Sequence, residues 1–147
     1  MQTLQKPWNK VTNIIPFLVL LFSLTFNSGI ANANETPLLR CKVSYAGTTH
    51  TINTEFIKDP YLAPMHDIGG RFSFKAVMVG ANKKIAYIKL YAYLQGRELD
   101  FPIHQATYLK PIQVSKSMKA LTPFNHLYAG EVERELQYQC FLGWNHK

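Results

Sequence analysis

Two cysteines set the strongest constraint on what this chain can fold into. Cys41 and Cys140 each sit in a segment of strict alternation. In residues 40–45, Cys41, Val43 and Tyr45 fall on one side, and Arg40, Lys42 and Ser44 on the other. Further on, Leu136, Tyr138, Cys140 and Leu142 share a side, opposite Gln137, Gln139 and Phe141. A period of two is the mark of a half-buried strand, and both cysteines lie on its apolar side. If they are joined, the first and last strands must be neighbours, because bridged Cα atoms lie about 5.5 Å apart. The bridge would close a loop of about a hundred residues, worth about 4–5 kcal/mol in the chain-entropy account. A redox or metal-binding thiol pair would call for a short spacing such as C-x-x-C, which is absent.

Oxidation depends on compartment, and the N-terminus speaks to that. Lys6 and Lys10 give a positive start without an acidic residue. An apolar run covers residues 14–26, broken only by Pro16, Ser23 and Thr25. Asn27-Ser28-Gly29 interrupts it, and Ala31-Asn32-Ala33 offers the small residues a signal peptidase accepts. The pattern predicts a cleavable secretory signal over residues 1–33 and a single domain over residues 34–147. A spanning helix needs about twenty apolar residues, so no stable membrane span is expected after cleavage. Arg40 stands where a lipoprotein site requires a small residue before its cysteine. The expectation is export to the bacterial periplasm, where a lone cysteine pair becomes a disulfide.

The rest of the chain reads as short strands between turns. Residues 50–57 alternate after the turn Ala46-Gly47-Thr48-Thr49. Residues 71–79 place Phe72, Phe74, Ala76 and Met78 on one face. After the turn at Gly80-Ala81-Asn82-Lys83, residues 84–94 place Ala86, Ile88, Leu90, Ala92 and Leu94 on one side, and Ile85, Tyr87, Lys89, Tyr91 and Tyr93 on the other. These two runs predict an antiparallel hairpin. Residues 101–109 predict an edge strand, because Pro102 lacks a ladder donor. Residues 114–121 could form a short helix between Pro111 and Pro123. Residues 58–70, with Asp59-Pro60, Ala63-Pro64 and Gly69-Gly70, read as one long loop. Together these predict an all-β fold: an antiparallel β-sandwich of immunoglobulin-like architecture, or a small barrel, with one disulfide. The tryptophan expected between immunoglobulin cysteines is missing, so the likeness is one of architecture.

The stretches CKVSYAGTT, DPYLAPMHDIGGRFSFKAVMVG, YIKLYAY, IHQATY and ERELQYQC resemble a group of uncharacterised exported proteins of Gram-negative bacteria. The resemblance spans nearly the whole mature chain and implies a compartment without implying an activity.

Lys and Arg number 16 against 9 Asp and Glu, a net charge of +7. The surplus suits an anionic envelope component, or serves solubility. The lysines are spread, with Lys83-Lys84 the sole adjacent pair in the mature chain, so the clustered footprint of a nucleic-acid binder is missing.

Two segments could form a binding surface. The long loop offers Asp59, Tyr61, His66, Asp67 and Arg71; Asp59 and Asp67 could equally cap turns, and Arg71 could pair with Asp67. The alternating row offers Tyr87, Lys89, Tyr91 and Tyr93, flat amphipathic rings around a cation, or else rings packed inside a second sheet. An alternative is periplasmic metal handling, with Met65, His66 and His104 as soft and borderline donors suited to copper. Another is an enzyme using His104 or a carboxylate from residues 131–135, although no nucleophile motif such as G-x-S-x-G is present. The reading favoured by the residues is an exported binding or accessory domain without a cofactor, whose partner is another envelope protein or envelope component.

Overall fold

The computed structural model describes residues 35–145, and the expected leader lies outside them. Nine strands follow in order: β1 (Thr36–Tyr45), β2 (Thr48–Thr54), β3 (His66–Ile68), β4 (Phe72–Ala81), β5 (Lys84–Leu94), β6 (Phe101–Leu109), β7 (Lys119–Ala120), β8 (Asn125–Ala129) and β9 (Arg134–Asn145). A 3-10 turn at Pro60–Leu62 precedes β3. Among the described residues no helix is long and apolar enough to cross a membrane.

The strands form two antiparallel sheets packed as a β-sandwich. One runs β2-β1-β9, with β7 and β8 sharing the far edge of β9; the other is the meander β3-β4-β5-β6. Two-residue loops join β1 to β2 and β4 to β5. Their residues Ala46, Gly47, Asn82 and Lys83 all have positive φ, as a type I′ turn requires.

The inner faces are those the alternation marks. Leu39, Cys41, Val43, Leu136, Tyr138, Cys140 and Leu142 meet Phe72, Phe74, Ala76, Met78, Ile88, Leu90 and Ala92 in one buried cluster. Cys41 and Cys140 are direct partners across β1 and β9, bonded as a disulfide with Cα atoms 4.0 Å apart. The first and last strands are therefore adjacent.

Three local expectations change. A bulge between Val79 and Gly80 shifts the β4–β5 register, so Ile85 enters the core at 6% exposure while Ala86 faces outward. Gly80 permits this: a Cβ there would strike the Lys84 carbonyl oxygen and come within 2.6 Å of the Phe56 ring. Residues 114–121 are not helical. Their backbone serves the edge of β9 instead, through Leu121 N–H to the Cys140 carbonyl at 2.8 Å and Trp144 N–H to the Ser115 carbonyl at 3.1 Å. Between β7 and β8 the Thr122 hydroxyl accepts the Cys140 N–H at 3.0 Å, continuing the ladder with a side chain. Finally, residues 58–70 contain the 3-10 turn and β3, so the segment is a strap fixed to β4 at both ends. Ile57 donates to the Met78 carbonyl at 3.0 Å at one end, and β3 pairs with β4 at the other.

Candidate functional site

The outer face of the meander sheet carries the most concentrated chemistry. Because Ile88, Leu90 and Ala92 point into the core, Tyr87, Lys89, Tyr91 and Tyr93 must point out. Opposite them on β4 stand Val79, Val77, Lys75 and Ser73 in register. Val77 and Ser73 face outward yet are 2% and 3% exposed, so other groups cover this face.

The strap is one of them. Asp59 caps the 3-10 turn, its carboxylate accepting the Tyr61 N–H at 2.9 Å, and Pro60 starts the turn with its φ already set. The turn holds Tyr61 outward at 88% exposure. The Lys75 ammonium donates to the Tyr61 carbonyl oxygen at 3.5 Å, tying strap to sheet. The result is a hollow of about 350 Å³ along β4. Pro60 and Tyr61 line it together with the row Tyr87, Lys89, Tyr91 and Tyr93, and with Lys75 and Val77 of β4. Its size is that of a ligand cleft.

The two predicted segments thus meet at one place, through Tyr61. The hollow holds four phenols and two ammonium groups, and no carboxylate belongs to its lining. Tyr91 and Tyr93 lie nearly parallel, with centroids 6.3 Å apart and planes 22° apart. Lys89 Nζ lies 5.7 Å from the Tyr87 ring centroid, within cation–π range. Burial raises the Tyr93 pKa above the ordinary phenol value, helped by Tyr91 and Asp100, so this phenol remains a donor at neutral pH.

A polar chain closes the Tyr93 end. Ser73 donates to Asp100 at 2.9 Å, and Gln95 donates to Ser73 at 3.0 Å and to Asp67 at 2.6 Å. Asp67 also accepts the Gly70 N–H at 3.2 Å. Its carboxylate is therefore held by Gln95 and the turn, and the pairing of Arg71 with Asp67 does not form. Arg71 lines a different hollow, with Leu94, Glu131 and Arg134.

The expected metal donors are not gathered. His66, Phe74, Ala92 and His104 form one cross-strand row. Three strand spacings, about 14 Å, separate the two histidines, too far to share an ion. His104 Nε2 instead shares a hydrogen bond with the Tyr138 hydroxyl at 2.7 Å, and burial lowers its pKa. Met65 is exposed on the strap. Among the described residues no three His, Cys, Asp or Glu side chains are grouped to hold a metal.

A second polar cluster lies on the other sheet. Glu135 accepts from His126 Nδ1 at 2.5 Å, from Tyr128 at 2.9 Å and from Gln137 at 2.9 Å. These bonds, His126 first, hold the Glu135 carboxyl below the usual carboxylate range. The imidazole is oriented, but the nearest hydroxyl in its cross-strand row is Ser44, beyond Gln137. Two strand spacings, about 10 Å, keep His126 and Ser44 from forming a hydrogen-bonded pair. Lys75 and Val77 were not singled out by alternation alone, since only the β4–β5 register sets them beside the tyrosines.

No protein-family model, no curated protein and no solved structure matches this chain.

Proposed function

We propose that this is an exported, periplasmic binding domain that holds its ligand in the hollow between the strap and β5. The observation that carries the reading is the arrival of Tyr61 beside Tyr87, Tyr91 and Tyr93, with Lys75 and Lys89 between. A flat face of rings with built-in cations suits recognition, and the β5 backbone beneath it is paired on both sides, to β4 and to β6. The hydrophobic leader and the core disulfide support export, because that bond persists in oxidising compartments. The ligand on this reading belongs to the cell envelope.

Envelope retention tests it. Purified protein is mixed with sedimented envelope material from its host, and the bound fraction is measured. Tyr91→Ala/Tyr93→Ala should lower retention about tenfold, an effect of about 1.4 kcal/mol. Thr51→Ala, on the opposite sheet, should leave it unchanged. Equal retention of the tyrosine double variant and the parent protein, with both folded by circular dichroism, would refute the reading.

A further inference from the structure

We infer that the hollow takes an acidic glycan, a chain of sugar rings bearing carboxylates. This rests on the binding reading above and narrows it to one ligand class.

Length is the first argument. From Tyr87 to Tyr93 the strand runs roughly 20 Å at about 3.3 Å per residue. A hollow laid along such a strand fits a chain with repeated units better than a single small molecule. The second argument is what the site cannot offer. β5 is paired on both flanks along this stretch, to β4 and to β6, and β4 is held on its strap side by β3 at residues 72–74 and by the Ile57 bridge at Val79. The stretch of β4 left between those contacts, residues 75–77, is shorter than a usual strand of about 5–6 residues, so an extended peptide has little ladder to add itself to. Recognition must come from side chains.

Those side chains have a particular chemistry. Each phenol presents an apolar ring face and a hydroxyl tip. A pyranose ring is complementary, with C–H groups on its faces and hydroxyls at its rim. The near-parallel Tyr91 and Tyr93 rings offer consecutive platforms. Beside the platforms, toward Tyr87, lie two cations. Lys75 is the direct partner of Tyr91, and Lys89 that of Val77, so the lysines sit diagonally across β4 and β5. Three carboxylates are engaged outside the lining: Asp59 in its turn, and Asp67 and Asp100 in the chain beyond Tyr93. Negative groups on a bound chain would sit over the lysine pair, toward Tyr87. A single-stranded nucleic acid also stacks on aromatic rings, but it carries a phosphate on every nucleotide and is tracked by a continuous basic groove. Two lysines across this length suit sparser charge.

Calorimetric titration of the purified protein tests the inference, with oligogalacturonate, alginate and hyaluronate fragments as probes. A cello-oligosaccharide and an oligothymidylate serve as competitors of other classes. At least one uronate chain should bind more tightly than the neutral sugar. Its affinity should fall as salt shortens the Debye length from about 30 Å at 0.01 M to about 3 Å at 1 M. Lys75→Gln/Lys89→Gln should weaken uronate binding about fivefold, and more than it weakens neutral-sugar binding. Tyr91→Ala should weaken both about tenfold. Tighter binding of oligothymidylate, or equal binding of neutral and acidic sugars, would overturn the inference. Failure of every glycan while envelope retention persists would overturn the ligand class and spare the binding reading. Loss of both would overturn both.

Discussion

Tyr138→Phe isolates one hydroxyl in the middle of the sandwich. Tyr138 is 1% exposed, and its O–H reaches from β9 to His104 Nε2 on β6 at 2.7 Å. The rings of Phe74 and His104 pack on it with centroids 5.2 and 5.6 Å away, and phenylalanine would keep both contacts. The change therefore removes a hydrogen bond with little change in packing. A net bond is worth about 1 kcal/mol, and an orphaned buried donor or acceptor costs about 1–3 kcal/mol. His104 is only half-buried, so water can recover part of this, and the expected loss is about 1–2 kcal/mol. Urea unfolding at mildly alkaline pH would measure it as a lower midpoint with an unchanged slope. His104→Leu added to Tyr138→Phe should restore part of the loss, because it removes the orphaned ring nitrogen. The same histidine sets a pH dependence. Burial lowers its pKa in the fold, so the unfolded chain binds the proton more readily. Its contribution is present above the unfolded value of about 6.5 and falls as pH drops below it. His104→Leu should flatten that acid limb. A Tyr138→Phe protein as stable as the parent, with a double variant no better than the single, would refute the reasoning.

Two further perturbations probe the frame. Cys41→Ala/Cys140→Ala should lower stability by about 3–5 kcal/mol, since the bridge spans a sequence separation of 99; equilibrium unfolding would show it, and a loss under about 1 kcal/mol would mean the unfolded chain is already confined. Gly80→Ala should cost about 1–3 kcal/mol, because its Cβ has no room between the Lys84 carbonyl and the Phe56 ring. A thermal melt matching the parent would show that the bulge can relax.

The fold was legible where burial imposes a period. Cys41 and Val43, and likewise Leu136 to Leu142, alternate because one face meets the core, and the structure buries those residues. Alternation fails where the ladder slips. The bulge at Gly80 exchanges the faces of Ile85 and Ala86, at a point where a Cβ would meet Phe56 and the Lys84 carbonyl, a proximity that no local pattern reports. β7 and β8 were hidden for a related reason. Their short pairing depends on β9 offering an unfilled edge, and residues 114–121 carry no strong preference of their own.

The site divides along the same line. The outward tyrosines of β5 follow from its inward aliphatic residues, so the row was readable from one strand. Its neighbour Lys75 required the pairing of Lys75 with Tyr91, a fact about two strands. Tyr61 required more, because the strap must be anchored by Ile57 and β3 before the turn at Pro60 lies beside the row. The histidines show the converse. His66 and His104 share a cross-strand row, yet Phe74 and Ala92 fill it between them. Donor identity alone suggested a common ion, but strand spacing forbids one. Chemistry written along one strand survives folding intact, whereas chemistry assembled across strands is decided by register and by the width of the sheet.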